Sequence, residues 1–506
     1  MSFSIVKLTR FAIFCAKEGL SWYRRHGRLP RTLELYDLSR KALWRFRTMW
    51  SRNLPVPKWL ETPLAPYDAW LKVNEWNDRG RDDLMERLGR ASDRLPLISI
   101  VMPVHDPPLQ FLERAIASVC EQVHAGWELC IADDGSLDPK VWETLIGYAS
   151  HDHRIKVTRL GTNMNISHAT NEAVRLASGD FLLFLDHDDE LTPDAVGEVA
   201  LYLARHPRTD LVYSDDDKID TAGRRYAPQF KPDWSPELLL SYMYLSHCLV
   251  VRRTLFLTVG GMRAGFEGSQ DYDLVLRMTE TTSAVGHIPR ILYHWRSLPE
   301  STASSGMAKP ASIEAGRRAI AESMERRGII ANVSQPEFAA AGYLGLYNLI
   351  FPDEGPAVTI LIPTKNQVSI LRRCIESIKV TTYRNYQVVI IDNESDDPET
   401  IAYLKTLPHR VLRIANPAGR FNFSAINNRA VELIDSEFVL FLNNDTEVRS
   451  PHWLSQMVGY GRMQGIGAVG AKLIFEDGRI QHACIVHGYY HGMAGPAFKL
   501  TPASEH

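Results

Sequence analysis

An apolar strand ending in acidic residues occurs twice in this chain, each time as the last of three signals in the same order. The first series reads LISIVMPV, ELCIADDGS and DFLLFLDHDDE; the second reads VTILIPT, QVVIIDNES and EFVLFLNNDTE. Aligned on these strings, Pro103 falls on Pro363, Asp133 on Asp392, Ser136 on Ser395 and Asp188 on Asp445. A repeat distance this long specifies a duplicated domain, since solenoid repeats recur every ~20–50 residues. Acidic side chains at matched strand ends need a chemical reason, and a metal with a phosphate is the best candidate.

A chain of 506 residues holds roughly two to four domains, each long enough to bury a full core. Its 45% apolar and 23% charged fractions are those of a soluble globular protein. The net charge of −3 is unevenly placed: residues 1–60 carry 13 Lys/Arg against Glu18, Glu34 and Asp37. An acidic body behind a basic arm does not suggest a nucleic-acid binder, whose basic residues would mark the working face. The six cysteines are scattered with no CxxC, which argues against a zinc site and a disulfide framework and fits a reducing cytoplasm. No run reaches the ~18 uninterrupted apolar residues of a spanning helix. Residues 3–22 come closest, broken by Lys7, Arg10 and Lys17, and no small-residue cleavage site follows them.

The organisation expected is a basic helical arm with lead-in helices over 1–96, an alternating βα domain over 97–300, a helical connector over 301–356, and a second βα domain over 357–506. The second copy is expected to be C-terminally incomplete, because the first copy extends about 105 residues past Asp188 whereas 61 follow Asp445. Within residues 1–60, Phe3, Val6, Phe14, Trp44, Phe46 and Trp50 interleave with Arg and Lys. Such a surface can lie on an anionic membrane, here the inner face of the cytoplasmic membrane, or pack on the body as a solvated arm. From Leu97 onward, β-branched runs alternate with helical patterns, the signature of an α/β fold with a mostly parallel sheet.

Asp133 and Asp134 close the strand ELCI, at the sheet end where open α/β folds bind ligands. A carboxylate there can accept hydrogen bonds from a nucleobase N–H, and Gly135 lets the backbone turn closely. An Asp-Gly turn explains the string equally well by itself; recurrence as Asp392-Asn393-Glu394-Ser395 favours function. Asp186, Asp188 and Asp189 lie within four residues and repel one another unless a cation neutralises them. Oxygen ligands of this kind suit Mg²⁺ or Mn²⁺. Thr192-Pro193-Asp194 reads as N-cap, first position and first-turn acid of the next helix, which accounts for Asp194 and not for the other three.

In order and spacing, SIVMPVHDP (99–107), ADDGS (132–136), LDHDD (185–189), YSDDDKID (213–220), GSQDYDLVLR (268–277) and YHWR (293–296) resemble family 2 glycosyltransferases of the GT-A fold. The resemblance covers about residues 60–500 and points to the tandem-domain, rhamnosyltransferase-like group associated with O-antigen and surface-polysaccharide assembly. It implies a Rossmann-like nucleotide-diphospho-sugar transferase domain, duplicated. It assigns Pro103, Asp133, Asp134, Asp186 (ribose side), Asp215 and Asp216 to the nucleotide-sugar donor, and Asp188, Asp189 and His294 to a divalent metal, Mn²⁺ or Mg²⁺. A lone His near a strand end is more often structural. The family's base is the Asp of a Glu-Asp pair, carried here by Asp271, with Gln270 in place of the acidic neighbour. The processive QxxRW pattern is absent, so one sugar per encounter is expected.

The implied reaction is an inverting displacement. Asp271 takes the proton of an acceptor hydroxyl, on a glycan or lipid-linked glycan, as that oxygen attacks the anomeric carbon. The Lys231–Trp234 loop is expected to shape donor and acceptor sites, with Trp234 either stacked on a sugar or simply in the core. In the second copy Asn443 replaces Asp186 and Thr446 replaces Asp189, and no counterpart of Asp271 follows. That half is expected to be inactive, a nucleotide-binding or docking remnant. The alternative reading is a degenerate transferase-like scaffold module in a glycan assembly complex. No GxGxxG follows a strand, and no GxxxxGK[ST], HExxH or GxSxG occurs, which disfavours dinucleotide oxidoreductases, P-loop NTPases and the common hydrolases.

Overall fold

The computed structural model describes residues 66–298, 310–490 and 493–503. The basic arm over 1–60 and its expected membrane contact lie outside the described residues. The chain divides into two compact units, 1–75 and 76–506. Within the first, helix α1 (Pro66–Asn74) stacks Tyr67 on Trp70, ring centroids 5.6 Å apart. The second opens with α2 (Asp78–Arg90), whose N-cap Asn77 accepts the Gly80 N–H at 3.1 Å. Leu84 and Leu88 of α2 are buried with Leu201. Among the described residues, no helix is long and apolar enough to cross a membrane.

The core of the larger unit is a sheet whose strands are β1 (Ile98–Val104), β2 (Trp127–Asp133), β3 (Ile155–Arg159), β4 (Phe181–Phe184), β5 (Glu190–Leu191), β6 (Leu211–Ile219), β7 (Arg225–Gln229), β8 (Leu249–Arg252) and β9 (Val285–Arg296). Their order is β3-β2-β1-β4-β8-β6-β9-β5, with β7 added on β6. The pairs among β1 to β4 are parallel, while β8 runs antiparallel between β4 and β6. Helices α3 (Leu109–Cys120), α4 (Pro139–His151), α5 (Ile166–Leu176) and α6 (Ala195–Arg205) are the crossovers and flank both faces. Apart from Pro103, β1 is fully buried, as a two-sided central strand must be. One expectation shifts: α6 begins after Asp194, and Thr192 donates its hydroxyl to Asp194 at 2.6 Å instead of capping the helix at Pro193.

Between β8 and β9 lie α7 (Arg253–Thr258) and α8 (Gln270–Thr279). The connector helix α9 (Pro310–Arg326) buries Ala315, Ala319, Ile320 and Met324 in the same core as α8. The hairpin β10 (Asn332–Ser334) and β11 (Asn348–Ile350) follows.

A second sheet then repeats the first half of the fold. Its strands β12 (Val358–Thr364), β13 (Tyr386–Asp392), β14 (Arg410–Arg413) and β15 (Phe438–Phe441) lie in the order β14-β13-β12-β15 and are parallel. Register repeats as well: Ile98 faces Trp127 and Phe181, and Val358 faces Tyr386 and Phe438. Its helices are α10 (Val368–Ile378), α11 (Pro398–Thr406), α12 (Phe423–Val431) and α13 (Trp453–Gly461). The halves meet where Phe351 packs edge-on against Tyr460 at 5.2 Å, in a notch that a Cβ at Gly459 would close to 2.0 Å. Among the described residues, β15 has a strand on one side only, and the hairpins after residue 470 do not join this sheet.

Candidate active site

The two copies agree down to individual hydrogen bonds at the end of their second strand. Asp133 accepts the Ser136 N–H at 3.0 Å and faces Arg159 at 3.1 Å. Asp392 accepts the Ser395 N–H at 2.9 Å and faces Arg413 at 2.8 Å. The Ser136 hydroxyl accepts from the N–H of Asp106, and that of Ser395 from Asn366, at 3.0 and 2.9 Å. Asp106 and Asn366 both sit at positive φ, 40° and 56°, where short polar side chains are tolerated. Asp133 is therefore committed to the turn. Asp134 differs: its carboxylate accepts the Met164 N–H at 2.7 Å. Gly135 is required, because at φ +68° a Cβ would stand 2.8 Å from the Thr162 carbonyl carbon. Pro103 lies at the same rim, its carbonyl 3.3 Å from Nδ1 of His187.

The acidic run after β4 is held by the end of β9. Asp189 is fully buried; its carboxylate accepts from the Tyr293 hydroxyl and from the Arg296 N–H, both at 2.6 Å. The Asp186 N–H donates to the Tyr293 oxygen at 3.2 Å, and Arg296 Nε donates to the Asp188 carbonyl at 2.7 Å. Burial, followed by the charges on Asp188 and Asp186, holds Asp189 well above the usual carboxylate range.

His247 stacks on Tyr293 with ring centroids 4.4 Å apart and planes 9° from parallel. Burial, helped by the nearby Lys231 ammonium, lowers its pKa to about 3, so it is a neutral imidazole. Asp186, Asp189 and His247 each offer a ligand atom within 4.8 Å of the others. Asp186 is pushed up to about 7, first by burial and then by the charges on Asp188 and Asp271. Asp271, in the first turn of α8, is near enough for its charge to act on Asp186; burial raises its pKa too, and its carboxylate accepts the Tyr272 N–H at 2.8 Å. Gln270 turns away, accepting the Gly268 N–H at 2.7 Å. Among the described residues, Asp186, Asp188 and Asp271 form no ion pair with Lys or Arg.

The structure does not bring every expected residue together. His294 lies next to Tyr293 on an extended strand, so its side chain diverges, and Nδ1 pairs with Asp217, which also takes Arg225 at 2.7 Å. Asp215 accepts from the Lys231 N–H at 2.9 Å and lies 3.0 Å from His287 Nε2. Asp216 faces the Lys231 ammonium at 2.6 Å. That ammonium also donates to the carbonyls of Ser214 and Leu245, each at 2.7 Å, and of His247. These carboxylates therefore sustain the loop that carries His247, and stand outside the cluster themselves. Trp234 packs against the core and lines a cleft of about 900 Å³ with Phe351, Arg327 and Arg462, away from the acidic cluster. His247 and Tyr293 were not singled out from sequence; a lone His before an apolar strand carries no pattern.

An open α/β sheet with an acidic run after its fourth strand and a carboxylate in the first turn of α8 is the GT-A arrangement of glycosyltransferases. The family model for glycosyl transferase family 2 matches residues 99–260 and 359–476, and the chain belongs to that family. It is 40% identical over 474 residues to the uncharacterized protein y4gI of Sinorhizobium fredii, covering 90% of this chain and 51% of that one. It is also 40% identical over 444 residues to the O-antigen biosynthesis protein RfbC of Myxococcus xanthus, covering 87% and 34%. The chain thus spans about half, or less, of the length of these relatives. Among solved structures, the Staphylococcus aureus TarS fragment 1–349 in complex with UDP-GlcNAc aligns over 45% of this chain and 66% of that one, at 18% identity and a TM-score of 0.38.

Proposed function

We propose that the first copy transfers a sugar, with inversion, from a nucleoside-diphosphate donor to a hydroxyl of a glycan or lipid-linked glycan in surface-polysaccharide assembly. The observation that carries this reading is the placing of Asp186, Asp189 and His247 with ligand atoms within 4.8 Å of one another, where the charges of Asp188 and Asp271 also act on Asp186 and, among the described residues, no Lys or Arg pairs with Asp186, Asp188 or Asp271. Carboxylates brought this close without a counter-charge are costly unless a ligand supplies one. The similarity to an O-antigen biosynthesis protein supports the substrate class.

Asp186, Asp189 and His247 fit a divalent cation in donor chemistry and mutual spacing, and Asp188 adds a carboxylate with no protein partner among the described residues. Bound there, Mn²⁺ or Mg²⁺ would neutralise charge on the departing diphosphate. The chain's own groups do the rest. Asp134 and the Pro103 rim line the base side. Asp271, whose burial raises its proton affinity, accepts the proton of the acceptor hydroxyl. Tyr293 and Arg296 fix the acidic run so that no reorganisation is needed during the reaction.

The test is an assay of a nucleotide-sugar panel with and without Mn²⁺. Metal-dependent release of one nucleoside diphosphate, lost in Asp271→Ala and in Asp188→Ala, supports the reading. Turnover that survives Asp271→Ala overturns it, as does a chain that binds glycans and turns over no donor, which is the scaffold alternative. The basic arm at a membrane surface belongs to this proposal and is tested by sedimentation with anionic vesicles.

A further inference from the structure

The cleft of about 900 Å³ beside Trp234 lies outside the acidic run, and its volume falls within the ~300–1,000 Å³ of small-molecule sites. Its walls are the Trp234 loop, the turn after α8, the end of the connector helix α9 and, across the seam, Phe351 and α13. The transfer proposed for the acidic run uses none of these residues.

Two arginines line the cleft, Arg327 and Arg462, and among the described residues neither forms an ion pair. Arg327 Nε is buried with no hydrogen-bond acceptor. Burial pushes the pKa of Arg327 below the usual arginine value; Glu280 and Glu237 attract it through space, with Arg326 opposing them. Of the carboxylates at the walls, Glu280 is taken up by Arg326 and the Ser323 hydroxyl, each at 2.7 Å, and Glu354 by Arg384 at 2.7 Å. That leaves Arg327 and Arg462 against Glu237 alone, an excess of positive charge. A guanidinium stripped of water without an acceptor is costly unless a ligand supplies one. Trp234 packs on the core with part of its surface and offers the remainder to the cleft.

We propose that this cleft binds an acidic saccharide, with its carboxylate at Arg327, its charge met also by Arg462, and a sugar ring against Trp234. A carboxylate matches the planar guanidinium fork and carries the single negative charge that the walls lack. A phosphate monoester, at about −1.5 to −2 near neutral pH, overshoots that balance. Sugar rings suit the rest of the lining: their C–H faces rest on an indole, and their hydroxyls reach the exposed Thr281 and Ser283. Arg327 follows the connector helix and Arg462 follows α13, so the second half shares in binding without a catalytic group of its own. The site goes beyond sugar transfer at the acidic run and does not depend on it.

The test titrates the full chain with trigalacturonate by calorimetry. The wild-type and Asp271→Ala chains are expected to bind it alike. Arg327→Gln is expected to weaken binding at least about tenfold. Arg462→Gln, at an exposed position that disturbs no buried group, is expected to weaken it at least about threefold. The methyl-esterified trisaccharide, which lacks the charge, is expected not to bind. Absence of trigalacturonate binding overturns the proposal, and so does equal binding of the ester or unchanged affinity in Arg462→Gln. Displacement of trigalacturonate by galactose 1-phosphate at lower concentration assigns the cleft to a phosphate and overturns it as well. Loss of binding in Asp271→Ala puts the saccharide at the acidic run and likewise overturns it. Arginine-dependent binding by a chain that turns over no nucleotide sugar upholds this site while the transfer reading falls.

Discussion

Tyr293 donates its hydroxyl to the fully buried carboxylate of Asp189 at 2.6 Å, and its ring is the platform on which His247 rests. One side chain therefore sets the spacing of two of the three groups suited to a cation. Tyr293→Phe keeps the platform and removes the donor. It is expected to cost about 1–3 kcal/mol in urea denaturation, since a buried acceptor is left unmet. It should also shrink the thermal stabilisation that Mn²⁺ gives the wild-type chain, while Tyr293→Leu, which removes the platform as well, should abolish it.

The charge on Asp271 adds to the burial that raises the pKa of Asp186. Asp271→Asn removes that charge, so donor binding should be unchanged within about twofold while turnover falls by about 10²–10⁴. Calorimetric titration with the nucleoside diphosphate and Mn²⁺ beside steady-state rates separates the two. A parallel fall in binding and turnover would mean that Asp271 holds the donor.

Asp133 and Asp134 are adjacent in sequence and hold different backbone donors, the Ser136 and Met164 N–H groups. Asp133→Ala removes the carboxylate that ties Ser136 to Arg159, and is expected to lower stability with little effect on the nucleotide Kd of the folded fraction. Asp392→Ala should destabilise to a similar degree, since its partners at Ser395 and Arg413 are the same. Unfolding midpoints for the pair, set beside nucleotide affinity, check this directly.

Glu128 provides an acid-labile tie found in one copy alone. Burial by itself would raise its pKa, but Lys156 at 2.6 Å and the donors of Ser99 and Ser178 outweigh it and hold the carboxyl down at about 2. A folded-state pKa below the unfolded value contributes stability that is present above the unfolded pKa and lost as pH falls toward the folded one. The wild-type chain should therefore lose stability as pH drops from about 4.5 toward 2, and Glu128→Gln should flatten that limb. In the second copy Gln387 occupies the aligned place and donates to Thr359 at 2.9 Å, so this contribution is absent there. Urea midpoints measured across that pH range give the answer.

The α/β class, the duplication and the acidic run Asp186–Asp189 at a strand end were legible because each rests on a local pattern, whereas Asp271 came only through the family resemblance. A two-sided apolar strand must be central, and an acidic string at its end must face the ligand side. What escaped the sequence depends on geometry between distant segments. YSDDDKID looks like a binding string, yet Lys231 and His287 take up Asp216 and Asp215, and no spacing announces either partner. His294 stood in a motif while His247 stood in none; the single-residue alternation of β9 decided between them. Thr192 satisfied the rules for an N-cap, but its hydroxyl found Asp194 first.

Phe351 seated in the notch at Gly459 couples the expression of one half to the presence of the other. A protein cut before residue 351 would leave Tyr460 without its aromatic partner, and one cut just after it would strand a large ring in water. Even Gly459→Ala should wedge the seam apart without altering any group near the acidic tips. Biochemistry on isolated halves would then report on surfaces that the intact chain never shows to solvent.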